Sequence, residues 1–198
     1  MEKETGKKNN PANINVPATV KRYIMELTDI LIDNKIKPKE KTEILSSLIL
    51  EKQISVDQLT DLARSAKEPV RATCIEALEH VTLANPGMLT ETAFDFVVKC
   101  LTDKAPRVKW ESARVIGNTA ALFPAKLDQA INNLLDNTEH QGTVVRWSAA
   151  FALGAILKLK TGRNGDLVPA CEAIIEREEK NSIKKIYLEA IRKSALKP

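Results

Sequence analysis

The sequence predicts an all-α protein, a right-handed solenoid of about five antiparallel helix pairs. Four related segments recur at intervals of 37 or 38 residues, and each opens with a β-branched residue followed by a cation. Each also places an apolar residue eight positions later, and no stretch alternates as a β-strand does. A period of this length is typical of stacked repeats, in which one unit cannot bury its apolar face alone. The segments begin at Val70, Val108, Val145 and Ile183.

The composition excludes several classes of protein. Hydrophobic residues make up 43% of the 198 residues, which is enough for a core, and the net charge of +4 is too small to indicate a dedicated nucleic-acid binder. The three cysteines lie at apolar helical positions and only two histidines are present, so we expect no metal site and no cofactor. No apolar run reaches about 18 residues, so no membrane span is expected. The polar N-terminus lacks the apolar core of a signal peptide, and a cytoplasmic setting is expected.

The spacing of apolar residues predicts the first helix pair. Residues 1–16 are polar and aperiodic, so we expect a flexible tail, followed by a single repeat domain at 17–198. Val20, Ile24 and Leu27 recur at helical spacing, and Pro38 is suited to the first turn of a second helix. This first pair, near 17–51, is expected to act as a terminal unit.

The later elements are separated by residues that break helices. Asn85, Pro86 and Gly87 form a turn, and Pro106 suits the first turn of a helix. The corner at 136–142 is longer than its counterparts. We therefore expect helix pairs near 55–84, 88–122, 124–160 and 166–196.

The most regular segment reads VRWSAAFALG from Val145 to Gly154. It resembles the second helix of a HEAT repeat, V-R-x-x-A-x-x-x-L-G, at every key position. The segment from Val108 has Lys for Arg and Ser for Ala, and the segment from Val70 has Glu79 in place of the glycine. The chain is similar to the HEAT-repeat family over residues 55–196 and more loosely over 17–54. The resemblance implies that the second helices line a concave surface, but it implies no particular ligand.

Aromatic residues occupy the outward side of two adjacent second helices. With the opening Val as position 0 and 100° per residue, both tryptophans fall at position 2, and position 6 holds an arginine in one helix and a phenylalanine in the other. Neighbouring helices lie about 8–10 Å apart, so these side chains are expected to form one aromatic patch with cations at its margin. Exposed aromatics with arginine are typical of protein-binding hot spots. The predicted partner-binding residues are Trp110, Arg114, Trp147, Phe151 and Lys158.

Two other interpretations of the aromatic patch stay open. The tryptophans can fill the groove between repeats, or the N-terminal tail, through Ile14 and Val16, can fold back over them.

The cation that follows each opening residue forms a second set, the cation ladder. The family resemblance implies that these cations pair with carbonyls or acids of the corners, such as Asp103 and Asp136. The other interpretation is a phosphate-binding ladder. The ladder residues are Arg71, Lys109, Arg146 and Lys184.

The resulting hypothesis is a non-enzymatic scaffold or adaptor that binds a protein or peptide on the surface of the second helices. The alternative is a binder of nucleic-acid backbones that uses the cation ladder with Arg114, Lys158, Lys185 and Lys193. HEAT-like DNA glycosylases place an acid near concave tryptophans. Here Glu111 is expected to point about 100° away from Trp110, and surface carboxylates such as Glu79 are expected to be solvated. No catalytic residue is therefore predicted.

Overall fold

A computed structural model describes residues 27–195, which form ten helices and three 3-10 turns and contain no β-strand. Helix α1 includes residues 27–32. The others are α2 (Pro38–Leu50), α3 (Val56–Ser65), α4 (Glu68–Ala84), α5 (Glu91–Cys100), α6 (Pro106–Thr119), α7 (Leu127–Asn137), α8 (Thr143–Lys158), α9 (Asn164–Arg177) and α10 (Asn181–Ala195), with 3-10 turns at Pro86–Met88, Ala120–Leu122 and Pro124–Lys126.

The even-numbered helices form one continuous layer. Each packs directly on the next, in the order α2, α4, α6, α8 and α10. The last four also pack on the odd-numbered helix of their own pair. This arrangement confirms the predicted all-α solenoid. The tail at 1–16, with Ile14 and Val16, lies outside the described residues, as do Val20 and Ile24. The single repeat domain over 17–198 therefore stays a prediction.

Local sequence explains where the helices begin. Proline occupies the first turn of α2, α4 and α6, where its missing N–H leaves no helical hydrogen bond unmade. Ser55 and Gln58 form a capping box at the start of α3. The predicted helix near 88–102 begins only at Glu91, because Thr90 caps α5 by accepting a hydrogen bond from the N–H of Ala93 at 3.1 Å.

The repeat register predicts the core. Leu78, Ile116 and Leu153, which share position 8 of their repeats, are fully buried, as the apolar period indicates. The three cysteines are also buried and unpaired. Burial raises the pKa of the Cys74 and Cys100 thiols to about 12, which keeps both thiols neutral.

Position 9 of the repeat decides how closely neighbouring second helices approach. A β-carbon on Gly117 of α6 would lie 2.7 Å from Cδ1 of the Phe151 ring, closer still to Cε1, and 3.3 Å from the Cα atom of Ala152 in α8. A β-carbon on Gly154 of α8 would lie 3.3 Å from Ile186 in α10. Glycine at position 9 thus makes room for the next helix.

Candidate functional site

The cation ladder joins consecutive repeats. The Arg71 guanidinium lies 2.6 Å from the Asp103 carboxylate, as the resemblance implied, and donates to the carbonyl of Ala66 at 2.9 Å. Lys109 donates to the carbonyl of Leu101 at 2.9 Å. Each cation therefore satisfies a carbonyl at the end of its preceding helix that has no helical partner.

The side-chain partners of the later cations differ from those expected. Lys109 donates to the amide oxygen of Asn137 at 2.8 Å, so its hydrogen-bond partner is this neighbour and not Asp136. Arg146 donates to Glu178 at 2.8 Å and to the carbonyl of His140 at 3.0 Å. Lys184 is half-buried at the same position of α10 and forms no ion pair within residues 27–195.

The ion pair of Arg146 is the most enclosed of the ladder. The Glu178 side chain is almost completely buried. The hydrogen bond from Arg146 holds the pKa of Glu178 below its usual range. Three of the four ladder cations thus have partners within the fold, which favours the structural interpretation over phosphate binding.

Trp147 is the most exposed aromatic residue of the second-helix surface. Its side chain is 39% exposed, although most of the surrounding helix is buried. Its ring stacks on Phe151, with 5.9 Å between ring centroids and an interplanar angle of 9°. Phe151 in turn rests on Gly117 of α6. The exposed indole is therefore held in place by packing that extends into the neighbouring repeat.

Trp110 occupies the same repeat position on α6 but has a different environment. It is half-buried, and its indole N–H donates to the Glu111 carboxylate at 2.6 Å. Among the described residues, Trp147 stacks only on Phe151, so the stack does not extend to Trp110. The aromatic patch is thus two separate aromatic groups on adjacent helices.

Arg114, predicted as a cation at the margin of the aromatic patch, forms ion pairs within the fold. Its guanidinium lies 2.7 Å from Glu79 and 3.8 Å from Glu111. The side chains of these two glutamates are only 2% and 5% exposed. Position 9 explains the difference: α6 has Gly117 there and receives Phe151, whereas α4 has Glu79 there and receives Arg114.

Two expectations about the carboxylates are therefore wrong. Glu79 and Glu111 are buried and not solvated, and the Glu111 carboxylate does not point away from Trp110. A glutamate side chain has enough rotatable bonds to return its carboxylate to the neighbouring indole, which a wheel drawn from Cα atoms does not show. An acid near a tryptophan is thus present, but it is buried against Arg114.

Burial also affects the ionisation of Glu111. It raises the pKa of Glu111, and the charges of Glu76 and Glu79 raise it further, while the hydrogen bond from Trp110 and the charge of Arg114 oppose the shift. Glu76 itself forms an ion pair with Arg107 and accepts a hydrogen bond from the hydroxyl of Thr42 at 3.0 Å.

The surface around Trp147 contains one residue that the sequence reasoning missed. Val144 precedes the repeat start by one position and is 52% exposed. Its direction on the helical wheel is 260°, close to that of position 6 on the outward side. Extending the wheel by one residue before Val145 would therefore have found it. Lys158 is exposed in the last turn of α8, and its place at the margin of the aromatic residues stays a prediction.

The sequence profile of HEAT repeats matches residues 56–154, which is half of the chain. This chain belongs to the HEAT-repeat family. The match covers α3 to α8 and includes both tryptophans and the Glu79–Arg114 pair. No curated protein sequence matches this HEAT-repeat chain.

Solved structures with the same fold are remote in sequence. An engineered protein superposes with a TM-score of 0.68 at 17% identity, over 89% of this chain and 84% of its own. A chain from the complex of CpcE and CpcF of phycocyanin lyase from Nostoc sp. PCC7120 superposes with a TM-score of 0.66 at 18% identity. The superposition covers 85% of this chain and 98% of that chain. A designed armadillo repeat protein in complex with the peptide (KR)4 superposes with a TM-score of 0.60 at 20% identity, over 88% of this chain and 75% of its own. These similarities establish the solenoid fold alone.

Other types of site find no support in the described part of the HEAT-repeat chain. No helix there is both long and apolar enough to cross a membrane. Residues 27–195 also bring together no group of three histidine, cysteine or acidic residues with the geometry of a metal site.

Proposed function

We propose that this HEAT-repeat chain is a non-enzymatic adaptor that binds an extended segment of a partner protein across its second helices. The observation that carries the proposal is the exposure of Trp147 while its indole is held by stacking on Phe151. Tryptophan is enriched among the hot-spot residues near the centres of protein interfaces.

The support of Trp147 favours binding energetically. Its indole is stacked on Phe151, which is held against Gly117, so few rotamers are open to it before a partner arrives. A side chain that is already fixed loses little conformational entropy on binding. Val144, one turn before Trp147, extends the apolar surface on which a partner residue would rest.

The kind of partner is inferred from the fold and from the ladder. The designed armadillo repeat protein with the same fold holds a peptide, and the phycocyanin lyase subunits form a protein complex. Nucleic acid is the weaker alternative, because Arg71, Lys109 and Arg146 already have partners within the fold.

Free, buried cysteines suit a reducing compartment, and we place the adaptor in the cytoplasm on that ground.

The proposal is tested by affinity capture with the wild type and with Trp147→Ala, followed by calorimetry with the recovered partner. We expect the substitution to weaken binding by at least about 2 kcal/mol, the usual threshold for a hot-spot residue. Leu188→Ala is the control, because Leu188 is another exposed apolar residue and lies on α10. Equal partner affinity for Trp147→Ala and the wild type would rule out this surface.

A further inference from the structure

The junction of α4 and α6 contains two buried carboxylates bridged by a single guanidinium. Arg114 lies 2.7 Å from Glu79 Oε1 and 3.8 Å from Glu111 Oε2. The two carboxylates come from neighbouring helices, and their side chains are more than nine-tenths buried. We call these two residues the buried acid pair.

The charges at this junction do not balance. Glu76 and Arg107 form an ion pair of their own, which leaves Arg114 alone to compensate both members of the buried acid pair. His80 lies 3.9 Å from Glu79, but it adds a charge only when its imidazole is protonated. One negative charge is therefore uncompensated at neutral pH when both acids are ionised.

Each member of the buried acid pair also has an oxygen without a donor. The Oε2 atoms of Glu79 and Glu111 are buried and accept no hydrogen bond within the described residues. A buried acceptor left unsatisfied costs about 1–3 kcal/mol, and more when it is charged. Most buried polar atoms in proteins are paired, so both oxygens are acceptors that an entering donor could satisfy.

The surroundings fit a donor that carries positive charge. The Trp110 indole donates its N–H to Glu111 and stands beside the junction, and Trp147 occupies the same position on the next helix. Aromatic faces attract cations, and the attraction is added to that of nearby carboxylates. Phosphate or acidic segments would instead be repelled by the same charge.

We propose that the bound segment places a lysine or arginine side chain against the Trp110 indole, with its charged group donating to the buried acid pair. This inference rests on the proposed function and names the chemistry of the segment that the adaptor binds. Arg114 is 37% exposed, so the junction meets solvent beside its guanidinium. In the proposed complex Arg114 stays on Glu79 while the incoming cation donates to Glu111 and supplies the second positive charge. The segment therefore carries a lysine or arginine at Trp110, next to the part of the segment that contacts Trp147.

The test uses a library of random linear peptides displayed on phage, selected in parallel on three folded proteins. These are the full-length wild type, the double variant Glu79→Gln/Glu111→Gln, and Glu189→Gln as the matched control. Glu189 lies on α10, exposed and paired with Lys193 at 2.6 Å, so its substitution removes a carboxylate without touching the junction. The enriched peptides are then synthesised with a fluorescein label and titrated by fluorescence anisotropy.

We expect lysine and arginine to be enriched on the wild type and on Glu189→Gln, and not on the double variant. The best basic peptide is expected to bind the double variant at least about tenfold more weakly, and its Lys→Gln analogue is expected to lose affinity for the wild type in the same way. If the double variant does not fold, as judged by circular dichroism, Glu111→Gln alone is used in its place.

Failure of this inference is distinguishable from failure of the proposed function. Peptides that show no basic enrichment, yet lose affinity on Trp147→Ala, would overturn the basic segment and leave the adaptor standing. Absence of any selected peptide, or peptides indifferent to Trp147→Ala, would overturn both.

Discussion

Phe151 of α8 packs on Gly117 of α6 so closely that a β-carbon at residue 117 would lie 2.7 Å from Cδ1 of its ring and closer still to Cε1. This contact connects the repeat register to the candidate site, because the same ring supports the exposed Trp147. Where α4 replaces the glycine by Glu79, the phenylalanine is replaced by Arg114. Position 9 of one second helix and position 6 of the next thus form either a glycine–phenylalanine contact or a glutamate–arginine ion pair.

Gly117→Ala is expected to destabilise the protein by about 1–3 kcal/mol, the usual range for overpacking a well-filled contact. The added methyl group meets Phe151 and, at 3.3 Å, the Cα atom of Ala152, and a backbone atom cannot move aside cheaply. Urea denaturation measures the loss. Gly162→Ala is the control, because a β-carbon there has no neighbour within 4 Å. Equal midpoints for both variants would contradict the close packing of α6 and α8.

Ile116→Ala is expected to cost about 2–5 kcal/mol in the free energy of unfolding. Ile116 is fully buried in α6, so its removal loses apolar contacts and leaves a cavity. Leu188→Ala on α10 removes a leucine that is 54% exposed and should change stability by less than about 0.5 kcal/mol. A midpoint for Ile116→Ala at the wild-type value would refute the assigned register.

Glu111→Gln is expected to gain stability relative to the wild type as the pH rises. Burial raises the pKa of Glu111, so the stability associated with its neutral form is fully present below the pKa of the unfolded chain. It is lost as the pH rises through the folded-state pKa. The glutamine keeps an acceptor for Trp110 and does not titrate. The difference in urea midpoint, variant minus wild type, should therefore grow as the pH rises above about 4, and a constant difference would show that Glu111 is not desolvated.

Glu178→Gln is expected to show the opposite dependence. Hydrogen bonding from Arg146 lowers the pKa of Glu178, so its ionised form contributes stability above the pKa of the unfolded chain. That contribution is lost as the pH falls through the folded-state pKa. The wild type should therefore exceed the variant most at neutral pH and approach it below about pH 4. An advantage that persists undiminished in acid would argue against the ion pair.

The sequence predicts the fold well because packing residues obey a period. Leu78, Ile116 and Leu153 are identified by their register, since burial follows from the direction of each side chain from its helix. The place of Trp147 on the outward face is identified in the same way. One repeat position corresponds to one environment for these three core residues, whereas Trp110 and Trp147 share position 2 in different environments.

The buried acid pair could not be placed by the same reasoning. Long polar side chains reach several ångströms from their own Cα atom and choose partners on neighbouring helices. The one visible signal was Glu79 at a position where the family pattern has glycine, and the structure shows that Arg114 occupies the space beside it. The ladder was easier to predict, because its cations lie beside helix ends whose carbonyls require donors.

The most direct test of the adaptor compares Trp147→Ala with the wild type in two measurements on the same preparation. Calorimetric titration with the captured partner segment should show affinity lower by at least about 2 kcal/mol, while the urea midpoint should change little, because the indole is 39% exposed. The contradicting result is a lowered midpoint with unchanged affinity per folded molecule. Trp147 would then serve packing between repeats, and the surface of the second helices would lose its anchor.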